Sequence, residues 1–276
     1  MNVEKMELIH QQQMIIMDEV HRVCEENGIE YYLIGGSALG VVRHSGFIPW
    51  DPDIDIAMTR ENYKRFSEIA NQCFKEEFEY RDYKNTPDLI CPHALVYYKK
   101  AKVLFESDVL NDTPVREYLY IDIFPLDTAP ASEKKQIKQA KKIIFYNKLI
   151  NYKISRIYKK NSSLVKFGKK IIRIVLSPFS LYSLNKKRDS VMQKYNGEQS
   201  GFLCSMCSHY SYKKQCMPAS IYGKPQLAKF EDRQYYIPEN NHDYLTKIFK
   251  DYMKLPSKKQ IEESYNLIAD IIVEEG

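Results

Sequence analysis

The chain has 276 residues, 44% of them hydrophobic and 13% aromatic, with 41 Lys+Arg against 36 Asp+Glu and a formal net charge of +5. That length and apolar content make one large folded domain, or one and a half, and exclude a disordered or low-complexity protein. No uncharged apolar run reaches the 18 or so residues of a membrane span, and the six cysteines follow no disulfide framework.

In chain order, residues 6–27 predict an amphipathic helix. Ile9, Ile16, Val20 and Val23 recur at helical spacing with Cys24 beside them, and Gly28 can end the helix in the left-handed conformation. The opening MNVEKMELIHQQQ is polar, so no signal peptide is expected, and with these cysteines the reading is a reducing, cytoplasmic protein. A strand over 31–34 leads into a Gly35-Gly36-Ser37 turn, a helix over 38–43, an aspartate-bearing strand near 53–58 and a helix over about 60–75 with Thr59 as N-cap. Strands are predicted near 78–83, 93–98 and 118–124, giving a mixed α/β half over residues 1–130. A basic helical insertion follows over 131–195. Residues 196–276 form a mixed part that completes the site and ends in a helix over 257–274.

The chemistry concentrates in LIGGSALGVVRHSGFIPWDPDIDIAM at 33–58. Ile54, Ile56 and Met58 alternate with Asp53, Asp55 and Ala57, so a strand here puts Asp53 and Asp55 on one face, about 7 Å apart. Mg²⁺, or Mn²⁺ in its place, binds through one or two carboxylates plus substrate phosphates. Gly35, Gly36 and Ser37 fit the other half of such a site, because a backbone without Cβ atoms can approach a phosphate and donate N–H groups to it. Read alone, Gly-Gly-Ser is simply a turn and an Asp cluster a solvated loop. Together, between apolar flanks, they read as a metal-assisted phosphate site. Asp51 is a further ligand candidate. Tyr120-Ile-Asp122-Ile-Phe124 supplies the third carboxylate, with Asp122 opposite the isoleucines, while Asp127 reads as a turn residue.

Charge is uneven. Residues 134–190 hold 17 Lys+Arg and one acid, Asp189, a local net of +16. Such a basic amphipathic stretch reads either as a surface for an anionic membrane or as the lysine-rich solvated face of a core-packing helix. No helix-turn-helix, zinc-finger or RNP pattern points to nucleic acid. Cys204-Ser-Met-Cys207, with His209 and Cys216, has metal-ligand spacing, but its apolar flanks read as packed thiols rather than structural zinc.

The run GGSALGVVRHSGFIPWDPDIDIAMTRENYKRF resembles the signature of the LicD family of phosphocholine transferases, relatives of fukutin and fukutin-related protein. YIDIFPLD at 120–127, YKKQCMPASIYG at 212–223, FED at 230–232 and IPENNHDYLTKIFKDYMKLP at 237–256 agree in order. Pro52 stands where the family commonly has a middle aspartate, and Lys250 where a glycine is usual. The resemblance implies a nucleotidyltransferase core of the DNA polymerase β type over residues 1–130. It implies metal held by Asp53, Asp55 and Asp122, and a CDP-alcohol donor such as CDP-choline. The acceptor would be a hydroxyl of a glycan or a lipid-linked oligosaccharide, with CMP as leaving group and the inner face of the membrane as workplace. Gly36 and Ser37 would contact phosphate. Arg43 either neutralises it or sits on a surface helix face, and His44 either bonds phosphate or fills the turn. Glu231 and Asp232 meet the nucleotide or a second metal, or belong to a surface loop. Two other classes stay open: a nucleotidyltransferase moving NMP from NTP, told apart by its pyrophosphate product, and a non-catalytic module that would survive loss of the aspartates.

Overall fold

The structure is a computed structural model that describes residues 3–110, 116–154 and 163–274. Helix α1 (Val3–Glu26) is followed by β1 (Tyr32–Leu33), α2 (Gly35–His44), β2 (Asp55–Thr59), α3 (Arg60–Cys73), β3 (Phe78–Arg81) and β4 (Ala94–Phe105). A short α4 (Glu106–Leu110) and the long β5 (Glu117–Ala129) precede three helices, α5 (Glu133–Ile154), α6 (Ser163–Leu176) and α7 (Leu181–Met192). The last third holds β6 (Phe202–Cys204), α8 (Tyr212–Gln215), β7 (Cys216–Pro218), α9 (Ala219–Tyr222), β8 (Gln226–Phe230), β9 (Arg233–Ile237), α10 (Asn241–Phe249), α11 (Lys258–Tyr265) and β10 (Ile268–Val273).

The architecture is the expected mixed α/β. A curled mixed sheet runs β1-β2-β5-β4-β10, with β3 added to β4, β6 to β5 and β7 to β6, while β8 and β9 form a separate hairpin. Only β2 and β5 pair in parallel among the described strands. Period-two side-chain alternation sorts the two central strands onto two cores. Ile56, Met58, Ile121 and Ile123 pack with α1 and α3, whereas Ala57, Phe124 and Leu126 pack with Leu39 of α2 and Tyr244, Leu245 and Ile248 of α10. Asp55 and Asp122 share the parity of the second set, so both belong to the α2 and α10 side. β5 changes partners along its length: β4 as far as Ile123, β2 from Asp122 to Leu126, and β6 from Asp127. Pro125, which has no N–H to give, comes after the β4 ladder has ended.

Sequence expectations hold for most of the first half. Ile9, Ile16, Val20, Val23 and Cys24 form the buried stripe of α1, and the Thr59 hydroxyl accepts the Asn62 N–H at the start of α3. Three expectations are corrected. Helix α2 begins at Gly35 rather than Ala38, so Gly-Gly-Ser is its first turn. Asp127 is not a turn residue but a fully buried member of β5, gripped by Arg60 through Nε at 2.8 Å and Nη2 at 2.6 Å. The last helix ends at Tyr265, and Ile268–Val273 instead forms a strand beside β4. Isoleucines and a valine favour that extended edge over a helix.

The basic segment is tied to this frame. Its single acid, Asp189, is buried, accepts from Arg60 at 3.0 Å and from the Tyr83 hydroxyl at 2.8 Å, and so joins α7 to the start of α3. Residues 155–162 of the segment lie outside the described residues.

One strained residue borders the second core. Lys250 caps α10 at φ 63° and ψ −107°, a conformation that favours glycine. Lys250→Gly is expected to raise stability by roughly 1 kcal/mol, the relieved strain less the extra freedom glycine gives the unfolded chain. Urea midpoints would check it, and an unchanged or lowered midpoint would show that the lysine carries no strain.

Candidate active site

The parallel β2–β5 register places Asp55 directly opposite Asp122. Asp53 reaches the same point from the loop just before β2, and one carboxylate oxygen from each of the three lies within 4.8 Å of the others. Three like charges at that spacing repel strongly, so something must hold them. Backbone bonds do part of it: Asp122 N–H donates to Ile54 O at 3.1 Å, and Ile34 N–H to Asp55 O at 3.0 Å. The Asp55 N–H donates to the buried Ser37 hydroxyl at 2.9 Å. From α1, the Gln13 amide donates to Pro52 O and Tyr120 O, at 3.2 and 3.0 Å, bridging the aspartate loop to β5. His10 donates to Asp51 O at 2.8 Å.

Glycine is required beside this cluster for two reasons. Gly35 has φ 55° and lies against an Asp55 carboxylate oxygen, and a methyl group at Gly36 would collide with the Asp51 carboxylate. Gly35 N–H is fixed by the buried Tyr244 hydroxyl at 2.9 Å, which ties α10 to the first turn of α2.

Gly35, Gly36, Arg43, Asp51, Asp53 and Asp55 line one cleft of about 360 Å³, together with an aromatic wall of Trp50, Tyr210, Phe249 and Tyr252. The Arg43 guanidinium donates to Tyr252 O at 3.2 Å and lies over the Trp50 ring. His44 is turned aside and packs edge-on against Trp50, with ring centroids 5.7 Å apart. Ser37 is in the first turn of α2, but its hydroxyl serves Asp55. Glu231 and Asp232 are elsewhere: they line a separate cavity with His10 and Phe47. The Glu231 carboxylate accepts the Phe47 N–H at 2.9 Å and so holds the loop after α2, while the exposed Asp232 pairs with Arg233.

The cluster is completed by a residue that sequence reasoning missed. His93 Nε2 lies 2.6 Å from the Asp122 carboxylate, and its ring packs on Phe124. The available signal was its place immediately before the buried strand run that opens with Ala94. Tyr210, Asp251 and Lys254, also in the cleft, had no motif to mark them.

Burial, and then the neighbouring carboxylates, push the acid groups of Asp53 and Asp55 well above the ordinary carboxylate range. Asp51 is raised by burial, with Arg43 and a hydrogen bond from Asp53 opposing. Hard oxygen donors gathered this tightly suit a divalent cation such as Mg²⁺, and this is the one group with such spacing among the described residues. Cys204 and Cys216 face each other across β6 and β7, and Cys207 Sγ meets Pro92 O and the Met192 sulfur in an apolar cluster.

Because the folded-state affinity of Asp53 and Asp55 for protons is raised, their contribution to stability is complete below the ordinary carboxylate range. It is lost as pH rises through the raised values. Without divalent cation, Asp55→Asn is therefore expected to melt above the native chain at mildly alkaline pH. The gap should close toward about pH 4 and be erased or reversed by Mg²⁺. Thermal melts across pH would test this, and a pH-independent gap would contradict it.

The family described as "LicD/FKTN/FKRP, nucleotidyltransferase domain" matches residues 28–173, more than half the chain. Lipopolysaccharide cholinephosphotransferase LicD of Haemophilus influenzae is 29% identical over 272 residues, 94% of this chain and 98% of that protein. Ribitol 5-phosphate transferase FKRP of Homo sapiens is 48% identical over a shorter stretch of 40 residues, 14% of this chain and 8% of that protein. With the family match spanning α2, the aspartate loop, β2 and β5, the chain belongs to the LicD family and is a phosphotransferase.

Proposed function

We propose that this phosphotransferase moves a phospho-alcohol group from a CDP-alcohol to a hydroxyl of a glycan or lipid-linked oligosaccharide and releases CMP. Phosphocholine is the cargo put first, with ribitol phosphate and glycerol phosphate behind it. The observation that carries the reading is the convergence of Asp53, Asp55 and Asp122, of which Asp53 and Asp55 line the cleft that also holds the first turn of α2 and the Arg43 guanidinium. A fold of the nucleotidyltransferase type, with the core over residues 1–130 and the rest as insertion and completing part, is consistent with this arrangement.

Asp53, Asp55 and Asp122 would hold Mg²⁺ or Mn²⁺, which when bound neutralises pyrophosphate charge and offsets the carboxylate repulsion. The chain's own residues do the rest. The N-terminus of α2, with Gly36 at its first turn, offers N–H groups and a positive dipole end to phosphate, and Arg43 adds a fixed cation. The aromatic wall suits the flat cytosine ring. As the acceptor oxygen bonds to the distal phosphorus, the P–O bond to CMP breaks and CMP leaves with the electron pair. The hydroxyl proton passes to Asp122, whose carboxylate is oriented by His93. Positioning and charge neutralisation supply most of the rate.

The test compares CDP-choline, CDP-ribitol, CDP-glycerol, CTP and ATP, each with Mg²⁺ or with chelator, by thermal shift and by nucleotide product. A donor at about 100 times its Kd stabilises by roughly 2.7 kcal/mol, so one CDP-alcohol should raise the melting temperature only with Mg²⁺ and yield CMP. Asp53→Asn should keep its fold and lose at least about 100-fold in turnover. Preference for a nucleoside triphosphate with pyrophosphate release would replace this reading with nucleotidyl transfer. Full activity in Asp53→Asn would remove the carboxylate assignment.

A further inference from the structure

The segment after β5 has no part in the cleft, and its surface is unlike that of the rest of the molecule. Over residues 134–190 there are 17 Lys+Arg and one acid, whereas the remaining residues carry 24 basic and 35 acidic side chains. The structure disposes of that single acid, since Asp189 is buried against Arg60. Arg188 is buried too, donating to Ile90 O, Asn147 Oδ1 and Asn185 Oδ1. The polar groups that dock these helices onto the core are thus consumed inside, and lysines such as Lys138, Lys141, Lys142, Lys148 and Lys170 are left on the outside.

Between those lysines lie apolar side chains that no core takes up. On α5, the face opposite the buried Gln139, Ile143 and Ile150 exposes Ile137, Ile144 and Phe145. On α6, Ile171, Ile174 and Val175 recur at i, i+3 and i+4, with Ile174 71% and Val175 64% exposed. Phe179 follows in the α6–α7 connection, half-exposed with Lys187 over its ring. No helix among the described residues is long and apolar enough to cross a membrane.

We propose that α5 and α6 form a docking surface for an anionic lipid bilayer. Lysines there meet the negative headgroups, and Ile174, Val175 and Phe145 enter the headgroup and acyl boundary, the division of labour expected of an interfacial amphipathic helix. A soluble acidic protein would be drawn by the lysines alone. The isoleucine, valine and phenylalanine between them gain most from a surface that is apolar underneath and negative on top. The buried Arg60–Asp189 and Arg188–Ile90 bonds fix α7 on the catalytic frame, and Arg188–Asn147 and Gln139–Val191 tie α5 to α7, so docking would set the orientation of the cleft to the membrane. The inference stands without the transfer reading, because binding is measured with no donor or acceptor.

The full-length chain is sedimented with vesicles of phosphatidylcholine alone and of equimolar phosphatidylcholine and phosphatidylglycerol, at low and high salt. Binding is expected on the anionic vesicles only and should weaken as salt rises. Reversing Lys141, Lys142 and Lys148 to Glu should cut partitioning by at least about 100-fold, roughly fivefold per lost lysine before the added repulsion of the glutamates. The pair Ile174→Ser and Val175→Ser should also weaken it, and circular dichroism and melting curves certify that both variants fold. Absence of binding to anionic vesicles at low salt, equal binding to both compositions, or binding unchanged in folded variants would overturn the proposal. So would a dimer in sedimentation equilibrium that covers this face, or preference for a DNA duplex over anionic vesicles.

Discussion

Three carboxylates within 4.8 Å of one another are the constraint around which the rest of the chain is arranged. At that distance like charges cost several kcal/mol each at the dielectric of a protein surface, and no fold keeps them together without restraint. Here the restraint comes from every side. The parallel β2–β5 register sets Asp55 against Asp122, Ser37 takes the Asp55 N–H, Gln13 straps the loop to β5, and His93 takes up Asp122. Burial first, and then the neighbouring carboxylates, raise the proton affinity of Asp53 and Asp55, and hard oxygen donors so placed suit a divalent cation.

The same demand explains features that look unrelated. Gly35 and Gly36 serve less as a flexible turn than as room for carboxylates pressed against the backbone. Tyr244 reaches from α10 to the Gly35 N–H, so the cleft wall and the first turn of α2 move as one piece. The strained Lys250 lies at the end of that helix, next to the cleft-lining Phe249 and Asp251. On the other flank, Arg60 opens α3 directly after β2 and holds both Asp127 of β5 and Asp189 of α7. Removing it would leave two buried charges without a partner, which is far costlier than losing a surface pair. The frame that positions the site is therefore also the frame that carries the basic helices.

Much of this was legible in the residues, and the failures have physical reasons. The alternation of Ile56 and Met58 with Asp55, and of Ile121 and Ile123 with Asp122, is a local signal that survives folding; Asp53, expected on the same strand, comes instead from the loop before β2, and the three aspartates do converge. Asp127 reads as a turn residue because a carboxylate just after Pro125 has the look of a turn, whereas it is buried in β5. Its partner Arg60 is 67 positions away, and an arginine at a helix start carries no sign of being buried. For Glu231 the residues leave nucleotide, second metal and surface loop open, and its bond from the Phe47 N–H is a pairing that only tertiary structure brings about. The final strand was hidden by the Ser257–Gln260 capping box, which announces a helix but not where it stops. His93 had only its place before the strand that opens at Ala94 to mark it, because its meaning lies in Asp122 on the next strand.

On the proposed function, the convergent aspartates hold a divalent cation against a phosphate ester. Anomalous diffraction from crystals grown with Mn²⁺ and CDP-choline tests it most directly. An anomalous peak bounded by Asp53, Asp55 and Asp122 is expected, with the pyrophosphate beside it and the cytidine against the aromatic wall. Donor density in the cleft with no metal peak among these carboxylates, or a peak at the Glu231 and Asp232 cavity instead, would contradict it.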